Sequence, residues 1–238
     1  PRTAPDMWML AIFSGPMARA RTGRRSPEYL WEHKRGALGM VRRYMSAHAN
    51  GAALVRMPTG TGKTAVMATL GQLVPSIART LIVAPWSQLT EQLAREIDER
   101  FWTKVGVPPT RIRKAAACFT PATLASHLDA ADAPEILICT NQTLERLHSS
   151  DDQGHQRLAA RTSLVMVDEG HREPAPRWAA AVRALAKPTV LFSATPYRND
   201  HRLFHIDPNH IYRFPHDEAV AQRFIRDVRF EELDWGHG

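Results

Sequence analysis

The chain has 238 residues, enough for one sizeable α/β domain with some extension. Its hydrophobic fraction of 44% and charged fraction of 23% are ordinary for a folded protein and exclude wholesale disorder. The net charge of +7 is compatible with a polyanionic partner, and equally with charges that simply lie in water, because charge reports on partners and not on fold.

No segment of the sequence predicts a membrane span, a secretion signal or a metal cluster. The apolar run 7–13 is far shorter than the ~20 residues of a membrane span, and its flanking Arg residues follow it, whereas a signal peptide carries its charge first. Cys118 and Cys139 have neither disulfide-framework nor zinc spacing, so we expect a reducing, cytoplasmic environment. Four histidines near the end of the chain are interpreted as solvated residues: His201, His205, His210 and His216.

The first part of the chain predicts an arm followed by a helix. Residues 1–26 mix Pro, Gly and Arg with little periodicity, which is typical of a mobile arm. After the start signal Ser26-Pro27, apolar residues recur at helical spacing, so we expect a helix over residues 28–49.

Five short apolar runs then alternate with helical stretches. The runs show no polar alternation, which is typical of parallel strands buried on both faces. The strands are predicted at 52–55, 80–84, 135–139, 163–167 and 189–192, and the helices at 63–73, 87–101, 142–148 and 175–186. This order predicts an α/β fold with a parallel sheet and helices on both faces. Since ligands of such a sheet bind beyond the carboxyl ends of its strands, the residues after each run are the functional candidates.

The segment after the first strand predicts a phosphate-binding loop. Its glycines let several N–H groups point at a phosphate, and the following helix adds the positive end of its dipole. In this pattern Lys63 reaches the β- and γ-phosphates and the Thr64 hydroxyl binds Mg²⁺. Met57 breaks the strict pattern G-x-x-x-x-G-K-[ST], and the alternative is a Gly-rich turn that caps a helix. The predicted binding residues are Pro58, Thr59, Gly60, Thr61, Gly62, Lys63 and Thr64.

Polar residues also follow the fourth and fifth strands. Asp168 comes directly after the fourth strand, where a carboxylate can hold Mg²⁺, and its neighbour Glu169 can orient an attacking water. After the fifth strand, the hydroxyls of Ser193 and Thr195 flank Ala194 and can couple the nucleotide state to the rest of the molecule. Each motif is weak alone, but a phosphate loop upstream makes the carboxylate pair a strong indication of nucleoside triphosphate hydrolysis.

Together these segments resemble the DEAD/DEAH-box helicases of superfamily 2, in the branch of restriction-enzyme motor subunits and related DNA translocases. Residues 57–64 are similar to motif I of that family, 193–195 to motif III, and 168–171 to the Asp-Glu-x-His form of motif II, which adds His171 to the catalytic group. The resemblance implies a RecA-like P-loop NTPase domain over residues 27–206 that uses ATP and Mg²⁺.

The same resemblance implies nucleic-acid contacts and a base-reading element. Pro85 and Trp86 lie in a segment similar to motif Ia, and Thr140 and Asn141 lie in one similar to the later backbone-contacting motif. Residues 31–34 resemble the adenine-reading element, with Lys34 where Gln is usual; an ammonium lacks the paired donor and acceptor of an amide.

Residues 207–238 resemble the segment that leads into the family's second RecA-like domain, whose arginines stabilise the transferring phosphoryl group. The sequence contains no arginine motif of that second domain. We therefore expect the first motor domain of an ATP-dependent DNA helicase or translocase, with weak ATP turnover on its own. The alternatives are a nucleotide-dependent regulatory ATPase that unwinds nothing, and a motor that acts on RNA.

Overall fold

The computed structural model describes residues 32–47, 51–73, 79–107, 112–129, 132–169, 176–194 and 205–226. The arm predicted at 1–26 lies outside these ranges. The strands are β1 Ala52–Arg56, β2 Arg79–Ala84, β3 Ala115–Cys118, β4 Ile136–Thr140, β5 Thr162–Val167, β6 Thr189–Ser193 and β7 Ile206–Arg213. The helices are α1 Glu32–Ser46, α2 Lys63–Leu73, α3 Ser87–Arg95, a π-helical segment Glu96–Arg100, α4 Phe101–Lys104, α5 Pro121–Asp129, α6 Asn141–Ser150, α7 Asp152–Arg161, α8 Pro176–Ala184 and α9 His216–Ala221.

The strands form one seven-stranded sheet in the order β3-β4-β2-β5-β6-β1-β7. Every neighbouring pair is parallel. All strands therefore end at the same edge of the sheet, which we call the carboxyl edge, and begin at the opposite amino edge. This arrangement confirms the predicted α/β fold with a parallel sheet.

The sheet separates two hydrophobic cores, because successive side chains of a strand point to opposite faces. In β1, Ala53 and Val55 belong to the core that is packed by α1, α2, α3, α4 and α9. Ala52 and Leu54 belong to the core that is packed by α5, α6, α7 and α8. Burial on both faces explains why the central strands are continuous apolar runs in the sequence.

Helix α1 is fixed to the sheet through its buried stripe and through one hydroxyl. The Tyr44 hydroxyl donates a hydrogen bond to the Gly51 carbonyl at 2.8 Å and accepts one from the Thr189 N–H at 2.9 Å. Gly51 directly precedes β1 and Thr189 begins β6, so these bonds hold α1 at the amino edge. Nearer the helix start, a Cβ atom on Gly36 would lie 2.8 Å from Cε2 of Tyr212, so only glycine allows α1 this close to β7.

Strands β3 and β7 were not predicted from the sequence, for different physical reasons. β3 has the sequence Ala-Ala-Ala-Cys, and alanine has a low β-propensity. β7 contains a polar stretch where it bulges: β1 advances from Ala52 to Leu54 while β7 advances from Ile206 to Ile211. The sheet consequently includes residues 207–213, which the sequence reading assigned to a linker. The polar bulge obscures the strand pattern of this stretch in the sequence.

Further differences concern helices. The predicted helix at 87–101 is a continuous helical path from α3 to α4 that contains the π-helical segment, and it ends at Lys104. Helices α5 and α7 were not predicted. Within the described ranges, no helix combines the length and the apolar character that a bilayer span requires.

Candidate functional site

The segment between β1 and α2 forms a tight loop at the carboxyl edge. The N–H and the hydroxyl of Thr61 both donate to the Pro58 carbonyl, at 3.3 and 2.7 Å. Gly60 has a φ of +86° and Gly62 a φ of +97°, a region that disfavours any residue with a Cβ. The loop therefore depends on these two glycines for its turn, as the sequence pattern predicts.

Met57 breaks the strict motif without distorting this loop. Its φ is not positive, so the position does not require glycine. Its side chain is fully buried in the core beside α1 and α2, and its N–H donates to the Ser193 carbonyl at 3.0 Å. Methionine at this position consequently anchors the start of the loop by packing, while the backbone of the loop is unaffected.

Lys63 begins α2 and extends back across the loop. Its Nζ lies 3.0 Å from Oε1 of Glu169 and donates to the Met57 carbonyl at 3.4 Å. The side chain is buried, so this cation is held at the start of the helix, where the helix dipole also favours an anion. Thr64 follows in the first turn of α2. Lys63 and Thr64 thus lie together in the first turn of α2, directly after the loop.

Asp168 and Glu169 follow β5 and face the loop. The Asp168 N–H donates to the Val83 carbonyl at 2.9 Å, which continues the pairing with β2 beyond the end of β5. Glu169 has a φ of +51°, which is uncommon for a residue with a side chain and recurs at functional sites. This left-handed turn accompanies the ion pair with Lys63 and links the carboxylate pair to the phosphate loop.

Asp168 is a buried carboxylate whose pKa is raised. Burial is the main cause that raises its pKa to about 6, the negative charge of Glu169 raises it further, and Lys63 opposes the shift. The described residues contain no group of three or more metal-ligating side chains. Mg²⁺ commonly uses one or two carboxylates together with substrate phosphates. The buried carboxylate of Asp168 after β5 and the hydroxyl of Thr64 in the first turn of α2 are groups that fit that kind of shared site.

The raised pKa of Asp168 predicts a stability gain in Asp168→Asn without nucleotide and Mg²⁺. Because the folded-state pKa lies above the ordinary 3.8, ionised Asp168 destabilises the fold above pH 6, and this penalty declines as the pH falls from about 6 to 3.8. We expect Asp168→Asn to raise the free energy of unfolding at pH 8 by about 1–3 kcal/mol, and by less at pH 5. Urea denaturation with EDTA measures this. The exposed Asp129→Asn serves as the control, and a variant no more stable than wild type at pH 8 would contradict the expectation.

Helix α1 touches the loop through two consecutive residues. The His33 Nε2–H donates to the Thr61 carbonyl at 3.0 Å, and burial lowers the pKa of this imidazole. Its ring stacks on Phe214 at a centroid distance of 4.4 Å. The next residue, Lys34, is buried beside Gly62. The sequence reading included Lys34 but missed His33, whose only signal was its place next to Lys34.

Ser193 lies at the end of β6, directly beside the start of the loop. It is aligned with Arg56 of β1, and it is buried. Ala194 follows it and is half-buried. Thr195 and His171, which the sequence placed in the same site, lie outside the described residues. The structure thus brings Ser193, the first residue of the predicted coupling motif, beside the start of the loop, where its carbonyl accepts the Met57 N–H.

The predicted nucleic-acid residues lie at the same edge, over the other half of the sheet. Trp86 follows the half-buried Pro85 after β2, and its side chain is 44% exposed. Asn141 begins α6, whereas the Thr140 hydroxyl is buried and caps that helix by accepting the Thr143 N–H at 3.1 Å. The cap gives Thr140 a structural role that the sequence reading did not foresee.

Phe119 extends this region and was missed because β3 was missed. It follows β3 and is 46% exposed. Its carbonyl accepts a hydrogen bond from the Thr143 hydroxyl at 3.0 Å, which holds it beside the start of α6. Among the described residues, Trp86 and Phe119 are two of the three large exposed hydrophobic side chains, and the third is Met45.

Comparisons with known proteins agree with this geometry. The family model described as "Type III restriction enzyme, res subunit" matches residues 29–198, whereas no curated protein gives a significant match. Three helicase or restriction-enzyme structures share the fold. The Pyrococcus furiosus Hef helicase domain has a TM-score of 0.54 and 21% identity, over 82% of this chain and 41% of that chain.

The other two structures are DNA complexes. The ATP-dependent type ISP restriction-modification enzyme LlaBIII, bound to DNA, has a TM-score of 0.58 and 14% identity, over 84% of this chain and 16% of that one. The DUF1998 helicase MrfA, bound to DNA and AMPPNP, has a TM-score of 0.53 and 16% identity, over 79% and 30%. This chain spans less than half of each of the three structures.

Proposed function

The chain belongs to the family of type III restriction enzyme res subunits, and from this membership we propose that it is the ATP-binding motor domain of a DNA helicase or translocase. The family implies an ATP-dependent nucleic-acid motor in general terms. The observation that carries the proposal is the contact between Lys63 of the phosphate loop and Glu169 after β5, at 3.0 Å. Such a pairing of loop lysine and strand-end carboxylate fits hydrolysis of a bound nucleoside triphosphate.

Each residue of the site has a role in the proposed reaction. The N–H groups of residues 58–64 and the Lys63 ammonium bind the phosphates. Thr64 and Asp168 would hold Mg²⁺, which would supply positive charge to neutralise the developing charge on the phosphoryl oxygens. Glu169, part-exposed at the edge of the loop, orients the attacking water. Ser193 and Ala194, and with them Thr195 and His171, would report the nucleotide state.

We place the nucleic acid on the residues that follow β2, β3 and β4, of which Trp86 and Phe119 are exposed. Trp86 and Phe119 offer aromatic faces on which bases can stack, and Asn141 and the backbone near Thr140 offer polar groups for the strand. DNA is favoured over RNA because the LlaBIII and MrfA structures are described as bound to DNA.

A second RecA-like domain, in the same or in a partner chain, would supply the arginines that the site lacks among its described residues. In phosphoryl transfer such arginines accelerate hydrolysis by about 10³–10⁵-fold. We therefore propose that the 238-residue chain alone turns ATP over slowly. We also propose that it works in the cytoplasm.

The proposal is tested by measuring ATP hydrolysis with Mg²⁺ in the absence and presence of nucleic acid. We expect single- or double-stranded DNA to raise the rate, and RNA to raise it less. Stimulation by RNA alone would make the chain an RNA motor. Indifference to every nucleic acid would instead favour a regulatory ATPase that never moves along a strand.

Removal of either exposed aromatic side chain is expected to weaken DNA binding. Stacking contributes about 1–3 kcal/mol per base, so Trp86→Ala and Phe119→Ala should each raise the Kd for single-stranded DNA roughly five- to hundredfold. Fluorescence anisotropy with a labelled oligonucleotide at fixed salt measures this. Met45→Ala is the matched control, since Met45 is also exposed but neighbours Tyr44, which is bonded at the amino edge. Wild-type affinity in both aromatic variants would show that the strand binds elsewhere.

A further inference from the structure

Lys34 occupies an unusual place for a lysine, because it is buried against the phosphate loop. The side chain is 8% exposed. A Cβ atom on Gly62 would lie 2.6 Å from Cε of Lys34 and 3.0 Å from its Nζ. The end of this side chain therefore lies beside the residue that directly precedes Lys63, and glycine at position 62 leaves room for it.

The neighbouring contacts fix this position. His33, the preceding residue, is bonded to the Thr61 carbonyl, and its ring stacks on Phe214. Gly36, two residues further on, lies against the Tyr212 ring. These contacts hold α1 on both sides of Lys34, so the buried side chain of Lys34 starts from a fixed place beside the loop.

The chemistry of an ammonium limits what this position can recognise. It has three donors and no acceptor. The edge of adenine that a protein reads presents an amino donor and a ring-nitrogen acceptor, whereas guanine presents two acceptors there. A lysine consequently cannot select adenine by a matched donor and acceptor, but it attracts phosphate regardless of the base.

We propose that Lys34 is a second phosphate-binding cation beside Lys63, and that the site accordingly accepts nucleoside triphosphates without a preference for adenine. This inference rests on the proposed nucleotide-binding function of the loop. It assigns Lys34 to the phosphate chain and leaves the base without a reader at this position. The site would then hold two cations, Lys63 and Lys34, against the two carboxylates of Asp168 and Glu169.

The experiment compares the binding of fluorescent ATP, GTP, CTP and UTP to the 238-residue chain with Mg²⁺, with inorganic tripolyphosphate as competitor. We expect the four Kd values to agree within about threefold, and tripolyphosphate to displace each nucleotide, since the phosphates carry the recognition. Binding of any one nucleotide, ATP or GTP in particular, at least about tenfold tighter than that of the other three would overturn the proposal while leaving the nucleotide-binding function intact.

Variants of Lys34 separate its charge from its packing. Lys34→Met keeps the length of the buried stem and should weaken all four nucleotides and tripolyphosphate by about tenfold or more, because a charge-assisted contact is lost. Lys34→Arg retains the charge and should bind all four. Lys34→Gln supplies a donor and an acceptor and should create a preference for ATP of about fivefold or more.

Thermal melting checks that each variant folds, and the base profile of the wild type decides the specificity claim without any variant. Unchanged affinity in a folded Lys34→Met chain would overturn the phosphate role. Absence of nucleotide binding in the wild type would overturn both this inference and the proposed function, whereas ATP-selective binding would overturn this inference alone.

Discussion

Replacement of Lys63 by alanine is expected to abolish nucleotide binding. The ammonium is buried at the start of α2 and contacts Glu169 at 3.0 Å. Its removal takes away the cation that would neutralise the phosphates. The carboxylates of Glu169 and Asp168 also remain close together without that positive charge. The remaining negative charge would repel a phosphate chain, so we expect the affinity for ATP to fall by about a hundredfold or more.

Fluorescence or calorimetric titration with ATP and Mg²⁺ measures this loss. Lys104→Ala is a matched control, because Lys104 is an exposed lysine whose partner is the surface residue Glu96. This variant loses the same charge at a position far from the loop in the sequence, so it should bind ATP normally. Wild-type affinity in Lys63→Ala would show that the loop does not hold the phosphates.

Replacement of Glu169 by glutamine is expected to separate binding from hydrolysis. Glutamine keeps the size of the side chain but cannot take a proton from water, and loss of a positioned base typically costs about 10²–10⁴-fold in rate. Because the change also frees Lys63 from its ion pair, the affinity for ATP should be equal to that of the wild type or higher.

Phosphate release under single-turnover conditions, together with a binding titration on the same sample, tests this separation. Glu91→Gln is the control: Glu91 is exposed and paired with Arg95 on the surface of α3. A Glu169→Gln chain that hydrolyses ATP at the wild-type rate would mean that another group orients the water.

The parts of the fold that are buried on both faces were predictable from sequence, and the parts at its borders were not. The strand of residues 163–167 is a continuous apolar run, as a central parallel strand must be. Alanine-rich β3 gives no such signal at one border of the sheet, and the polar bulge around Asp207 and His210 hides β7 at the other. The residue types of a segment therefore indicate well whether a strand is buried, but they do not identify the strands at the borders of the sheet.

The site shows the same division between what residue types encode and what the fold must supply. Gly60 and Gly62 could be identified because their positive φ angles require glycine. The left-handed turn at Glu169 carries no such signature, since glutamate seldom adopts it. Its contact with Lys63 therefore depends on how β5 ends in the sheet, next to β6, which in turn pairs with β1. The contact of His33 with the loop likewise arises from the packing of α1 and not from any local motif.

The Tyr44 hydroxyl attaches α1 to the sheet at a second place. His33 fastens the helix to the phosphate loop, and Tyr44 fastens it to the starts of β1 and β6 at the far edge of the sheet. These two attachments are eleven residues apart, or about 16 Å along the axis. A helix that is held near both ends can neither slide nor rotate freely. The position of Lys34 beside the loop is thus set partly by contacts at the opposite, amino edge of the sheet. We therefore expect substitutions near Tyr44 to change the affinity of the loop for a nucleotide.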